Sequence, residues 1–143
     1  MTDQLVSERV DNQDDAKEIA ARYRAYCDAC QSGQLAKVPS FWSLPALFTV
    51  DTGQPETAHI ILGSPEELIA FYSQLFGPTT GVDQTIIDTS EVTFYGPKLA
   101  TIETTLRHMV GPKLHDKQKA IYGCRKVGGA WVFISHLSVD ITD

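Results

Sequence analysis

The sequence predicts an α+β domain in which three early helices cover one face of a single strongly bent antiparallel (mixed) sheet. Two observations carry most of that reading: helical periodicity is confined to the first half of the chain, and long strand-like runs fill the second half after Gly81. A third is the segment KAIYGCRKVGGAWVFISHLSVDI, where two apolar runs meet at Gly128-Gly129. Two glycines between strands mark a tight hairpin, because a primed turn needs positive φ at both central positions.

The first helix is expected from Asn12, as N-cap, through residue 31, with Asp14 and Asp15 in its first turn and Gly33 as its stop. Residues 1–11 are polar and acidic and read as a flexible lead-in to a single domain over 12–143, although they could extend this helix. Ile19, Tyr23, Tyr26, Cys27 and Cys30 fall on one face of it. Residues 34–43 follow as a short helix broken at Pro39. Residues 44–51 read as a strand, Asp51-Thr52-Gly53 as a turn and residues 59–62 as a pairing strand. Ser64-Pro65-Glu66-Glu67 is a capping box with proline at the first helical position. The helix it opens carries Leu68, Ile69, Phe71, Tyr72, Leu75 and Phe76, and Gly77-Pro78 is its expected end. Residues 85–95 and 99–110 are the next strands, joined at Gly96-Pro97, and 111–116 reads as a loop before the final hairpin.

Composition narrows the function classes. The 143 residues, 43% hydrophobic and 21% charged, suit one globular domain, and no run approaches the roughly 20 apolar residues of a membrane helix. A net charge of −6 and a pI near 5.1 argue against nucleic acid or an anionic membrane as partner. The sequence MTDQLVSERVDNQDD has no secretory pattern, so a cytoplasmic location is expected. Three cysteines do not make a disulfide framework.

With Val127 and Ala130 flanking the turn, residues paired across the hairpin share a face. One face then carries Trp131, Cys124 with Phe133, Tyr122 with Ser135, and Ala120 with Leu137, and is assigned to the concave side. The other carries Arg125 with Val132, Gly123 with Ile134, and Ile121 with His136. That second face is too apolar for water, so a homodimer is expected through Ile121, Arg125, Val132, Ile134 and His136. Between the helices and the concave face a pocket is expected, lined by Tyr23, Tyr26, Trp42, Phe48, Phe71, Tyr122, Phe133 and Ser135. Cys27-Asp28-Ala29-Cys30 lies late in the first helix, where the dipole disfavours thiolates, and no second cysteine pair or histidine pair completes a zinc site. It reads as buried packing, and no metal or cofactor is expected. Phosphate-binding loops and nucleophile elbows are missing.

In order and spacing, RYRAYCDACQSGQLAKV, FWSLPALFTVD, GSPEELIAFYSQLF and GGAWVFISHLSV resemble the nuclear transport factor 2-like (NTF2-like) superfamily, also called cystatin-like or SnoaL-like, over about residues 15–141. The resemblance implies a cone of helices on a bent sheet. It fixes no chemistry, since the superfamily includes ketosteroid isomerase, scytalone dehydratase, limonene epoxide hydrolase, polyketide cyclases and a kinase association domain. Similarity to ketosteroid isomerase would place Tyr26 as the helix-one tyrosine, put the base on Val50, or on Asp51 with a one-residue slip, and put Tyr122 where a second acid belongs. Tyr26, Tyr122 and Asp51 are therefore the catalytic candidates. Glu103 and Arg107, which share a strand face, faintly resemble an epoxide hydrolase pair and read more simply as surface ion pairing. A dehydratase of the scytalone type would need Tyr23, Tyr26, Tyr122 and His108 to meet. The reading ranked first is a protein that binds a small, mostly apolar molecule. The alternatives are an isomerase, dehydratase or cyclase acting on a small polyketide- or steroid-like substrate, and a structural homodimerisation module.

Overall fold

The computed structural model describes residues 2–76 and 80–143, with side chains from Gln13 onward. Helix α1 spans Thr2–Gln31. Asn12 is thus inside the helix and not its cap; residues 2–11 contain neither glycine nor proline, and nothing in them interrupts helical hydrogen bonding. The expected stripe of Ile19, Tyr23, Tyr26, Cys27 and Cys30 is buried, together with Ala29. Gly33 ends α1 with φ of 77°. Its N–H reaches the Cys30 carbonyl at 3.3 Å and the Gln34 N–H reaches the Ala29 carbonyl at 2.9 Å, the paired bonds of a Schellman stop.

A 3-10 helix, Leu35–Phe41, contains Pro39 and leads into β1, Trp42–Asp51. Strand β2, Ala58–Leu62, pairs antiparallel with β1. Helix α2 is Pro65–Phe76. Ser64 Oγ accepts the Glu67 N–H at 3.2 Å, while the Glu67 carboxylate reaches past Ser64 to the Gly63 N–H at 3.3 Å. The expected Gly77-Pro78 stop lies outside the described residues.

Strands β3, Gln84–Gly96, β4, Leu99–Val110, β5, Lys113–Val127, and β6, Ala130–Asp140, complete one sheet of order β2-β1-β6-β5-β4-β3. All neighbours are antiparallel except β1 and β6, which run parallel. The sheet is mixed, with its helices on the concave side, an α+β architecture. The glycine hairpin forms as expected, with Val127 opposite Ala130 and φ of 58° and 84° at Gly128 and Gly129. Trp131 anchors this hairpin to α1: its indole Nε1 donates to Asp15 at 3.1 Å, its backbone N–H to Glu18 at 3.1 Å, and Lys126 Nζ joins Asp15 at 3.1 Å.

Two expectations about the sheet are overturned. The connection expected over 111–116 shrinks to the turn Gly111-Pro112, since Val110 already faces Lys113 and residues 113–116 are strand. Backbone pairing to β4 makes a strand of a polar run that looked like a connection. The hairpin register also slips. Arg125 faces Val132 and Cys124 faces Phe133 as expected, but Gly123 faces Ser135, Tyr122 faces His136 and Ile121 faces Leu137. Ile134 is the extra residue of a β-bulge, and beyond it every β6 side chain changes face. Ser135 and Leu137 therefore go to the outer face, and His136 turns inward.

Gly123 makes room for the bulge, because a Cβ there would collide with Ser135 Oγ and crowd Ile134 Cγ1 at 3.3 Å. The outer face holds Ile121, Val132 and Ile134, half-buried, with Arg125, Leu47, Ile61 and Leu137 exposed.

Candidate functional site

A cavity opens between α1, α2 and the concave face. The space free of atoms is about 620 Å³ including its mouth, and about 90 Å³ of it can be reached by the centre of a water molecule. Cys27, Cys30, Leu75, Phe76, Val82 and Leu106 form apolar walls. The buried end is set by Tyr26 of α1, Tyr72 of α2 and Tyr122 of β5, whose hydroxyls meet. Tyr26 donates to Tyr72, and its oxygen lies 3.3 Å from that of Tyr122. The rings stand edge-on to one another, Tyr26 to Tyr72 at 5.6 Å and Tyr26 to Tyr122 at 5.7 Å. Burial pushes all three phenols well above their ordinary range, so they remain neutral donors and acceptors.

His136 lies beside them. Its ring stacks on Phe48 at 5.2 Å and takes the edge of Tyr122 at 4.7 Å, and neither ring nitrogen has a hydrogen-bond partner. Burial lowers its pKa to about 4, so it is neutral at pH 7.

The mouth is polar. His108 and Asp116 are direct cross-strand neighbours, with Nδ1 and Oδ1 2.7 Å apart, and Gln118 Nε2 donates to the second Asp116 oxygen at 3.2 Å. A second bulge produces this pair: Met109 faces Leu114, and His115 is the extra residue that brings Asp116 opposite His108. Burial alone would raise the Asp116 pKa, but the His108 hydrogen bond and charge, with help from Gln118, hold it below the ordinary carboxylate range. Phe76 presents its edge to His108 at 5.4 Å.

Of the eight expected lining residues, Tyr23, Tyr26 and Tyr122 line the cavity. Trp42, Phe48 and Phe133 are buried in the aromatic core behind it, with Trp42 and Phe48 centred 4.8 Å apart. Phe71 is half-buried against Phe48 at 5.0 Å, and Ser135 is on the outer face. Asp51 is not at the tyrosine cluster. It closes its own turn by accepting the Gly53 N–H at 2.9 Å and borders an outer groove with Thr49, Ile121 and Leu137. Glu103 and Arg107 do not work together: Glu103 pairs with Lys119 at 3.5 Å, and Arg107 grips Asp88 with two 2.9 Å bonds. Both Cys27 and Cys30 are buried, the first with its pKa pushed up to about 12 and the second raised well above normal, so both are thiols at pH 7. No group of three His, Cys, Asp or Glu among the described residues is placed to hold a metal ion.

Tyr72, Asp116 and His136 are among the lining residues that the sequence reading does not place at the cavity. Tyr72 is read there only as part of the α2 apolar stripe; the meeting of two helices shows its hydroxyl to be shared. Asp116 falls in the expected loop, and His136 on the opposite face.

No protein-family model and no curated protein matches the sequence. Solved structures do match. A domain of unknown function with a cystatin-like fold from Nostoc punctiforme aligns with a TM-score of 0.69 at 21% identity, covering 89% of this chain and 77% of that one. An NTF2-like protein with a cystatin-like fold from Novosphingobium aromaticivorans aligns at 0.68 and 16% identity, covering 95% and 88%. The yeast UBP3-associated protein BRE5 aligns at 0.70 and 16% identity, covering 88% and 95%. This chain has the cystatin-like fold of NTF2-like proteins. At these identities the likeness concerns the fold, and proteins that share it differ in role.

Proposed function

We propose that this protein binds a small, mostly apolar molecule in the cone cavity. The observation that carries the reading is the combination of apolar walls with a buried cluster of three neutral tyrosine hydroxyls, a surface that orients a ligand through one or two hydrogen bonds. No helix among the described residues is long and apolar enough to cross a membrane. Three buried free thiols fit a reducing compartment, and a cytoplasmic location is part of this proposal.

Native mass spectrometry on freshly purified protein, followed by denaturing extraction, tests the reading. A retained species below about 300 Da supports it, that ceiling being set by the modest cavity, and a clean mass with no binding from a fragment library sinks it. Tyr122→Phe removes one hydroxyl and leaves the ring. It should cost about 1 kcal/mol of stability or less while weakening ligand binding about ten-fold; unchanged affinity would make Tyr122 core alone.

A second reading is favoured by one observation. His108 and Asp116 form a hydrogen-bonded pair on the wall of the same cavity, the arrangement that an acid-base enzyme needs to move a proton between carbon and oxygen. On that reading the protein is an isomerase, dehydratase or cyclase, and His108→Ala should abolish turnover while leaving binding of product intact.

The outer sheet face is proposed to pair with a second copy through Ile121, Val132 and Ile134, with Arg125 at the rim. Leu137 stands there in place of His136, opposite Ile121, and exposed Leu47 lies beside Ser135 on the same face.

A further inference from the structure

His136 is the least expected group in the cavity. It is buried to 7% exposure, it borders the cavity, and both of its nitrogens lack hydrogen-bond partners among the described residues. Buried polar atoms are ordinarily satisfied, so an orphaned imidazole on a cavity wall points to something the cavity takes up. Its ring neighbours are aromatic: Phe48 covers one face and Tyr122 meets it edge-on. The neutral ring offers one N–H donor and one bare nitrogen.

The tyrosine cluster has a surplus as well. Three phenols bring three O–H donors, and the two contacts that link them, Tyr26 to Tyr72 and Tyr26 to Tyr122, use two. One donor is left over. With Tyr26 donating to Tyr72, Tyr122 must donate to Tyr26, and the free O–H is that of Tyr72. Tyr72 and His136 pack on the same Phe48 ring, at 6.1 and 5.2 Å. Among the described residues no lysine or arginine borders the cavity, and the one carboxylate there, Asp116, is at the mouth.

We propose that the buried end of the cavity receives an uncharged carbonyl oxygen, which accepts one hydrogen bond from the His136 ring and one from the spare tyrosine hydroxyl. This rests on the binding reading above and names its ligand class: a ketone, quinone, lactone or similar neutral carbonyl compound on an apolar ring. A carbonyl oxygen has two lone pairs and can accept from both donors, whose rings pack on the same Phe48. A carboxylate would find no lysine or arginine among the described lining residues and would meet Asp116, already paired with His108, on the way, so a neutral oxygen is favoured over an anion.

The test uses four probes with one ring body: cyclohexanone, cyclohexanol, methylcyclohexane and cyclohexanecarboxylate, titrated by NMR into the wild-type protein and into His136→Phe. The expected result is that His136→Phe weakens cyclohexanone about ten-fold, leaves methylcyclohexane unchanged and never binds the carboxylate, because a site built for a hydrogen bond loses only the ligand that makes it. Equal effects on cyclohexanone and methylcyclohexane overturn the proposal, as does wild-type binding of cyclohexanecarboxylate. Tighter wild-type binding of cyclohexanol than of cyclohexanone also overturns it, since His136 would then be accepting. If no probe binds either protein, the cavity-binding reading fails and this inference with it. Should His136→Phe not fold, Tyr72→Phe carries the same comparison from the other donor, and the wild-type ranking stands alone.

Discussion

His136 has an energetic consequence that does not need a ligand. Its pKa falls from 6.5 to about 4 in the folded protein, because burial penalises the imidazolium. The unfolded chain therefore takes up this proton first. The stability it governs is complete above about pH 6.5 and is lost as the pH falls towards 4, by about 3 kcal/mol across that window. Urea denaturation at several pH values should show this slope, and His136→Phe should flatten it between pH 6.5 and 4; a slope that survives the substitution would place the titration elsewhere. Single residues also mark where sequence reasoning reached its limit. Tyr23, Tyr26 and Tyr122 were legible because helical spacing and a hairpin count needed only local information. His136 and Ser135 were not, because nothing in VFISHL announces an extra residue, and one unpaired position reverses the face of all that follows.

Among the elements, the start of α2 and the turn between β5 and β6 were the most legible, since each is written in residues with one dominant conformational use: Ser64 and Pro65 at a helix start, Gly128 and Gly129 at positive φ. Ser64→Ala should lower stability by about 1 kcal/mol through loss of the cap to the Glu67 N–H. The bulge is held differently. Gly123→Val puts branched carbons where Ser135 Oγ and Ile134 Cγ1 already lie, and should cost about 1–3 kcal/mol in chemical denaturation. A neutral outcome would mean that β6 can shed its extra residue and return His136 to the outer face. Strand β5 was mislaid at its start because Leu114, His115 and Asp116 read as part of a polar loop, and only their neighbours across β4 make them strand. The His108–Asp116 pair vanished from the reading with it.

At the scale of the molecule, helices early and strands late sufficed for the architecture, but not for which copy or ligand completes it. If the outer face pairs with a second copy, Leu137→Asp should give a monomer by analytical ultracentrifugation with the cavity intact, because that side chain points away from it; a wild-type monomer would refute the pairing outright. The parallel contact between β1 and β6 bears on how the protein comes into being. Strands β1 and β2 touch the rest of the sheet only through β6. During synthesis they must wait, unpaired along one edge, until residues 130–140 have emerged from the ribosome, and only then can the cone close around its tyrosines. A nascent chain halted before Ala130 should accordingly be protease-sensitive throughout, with α1 and the early strands as exposed as the late ones.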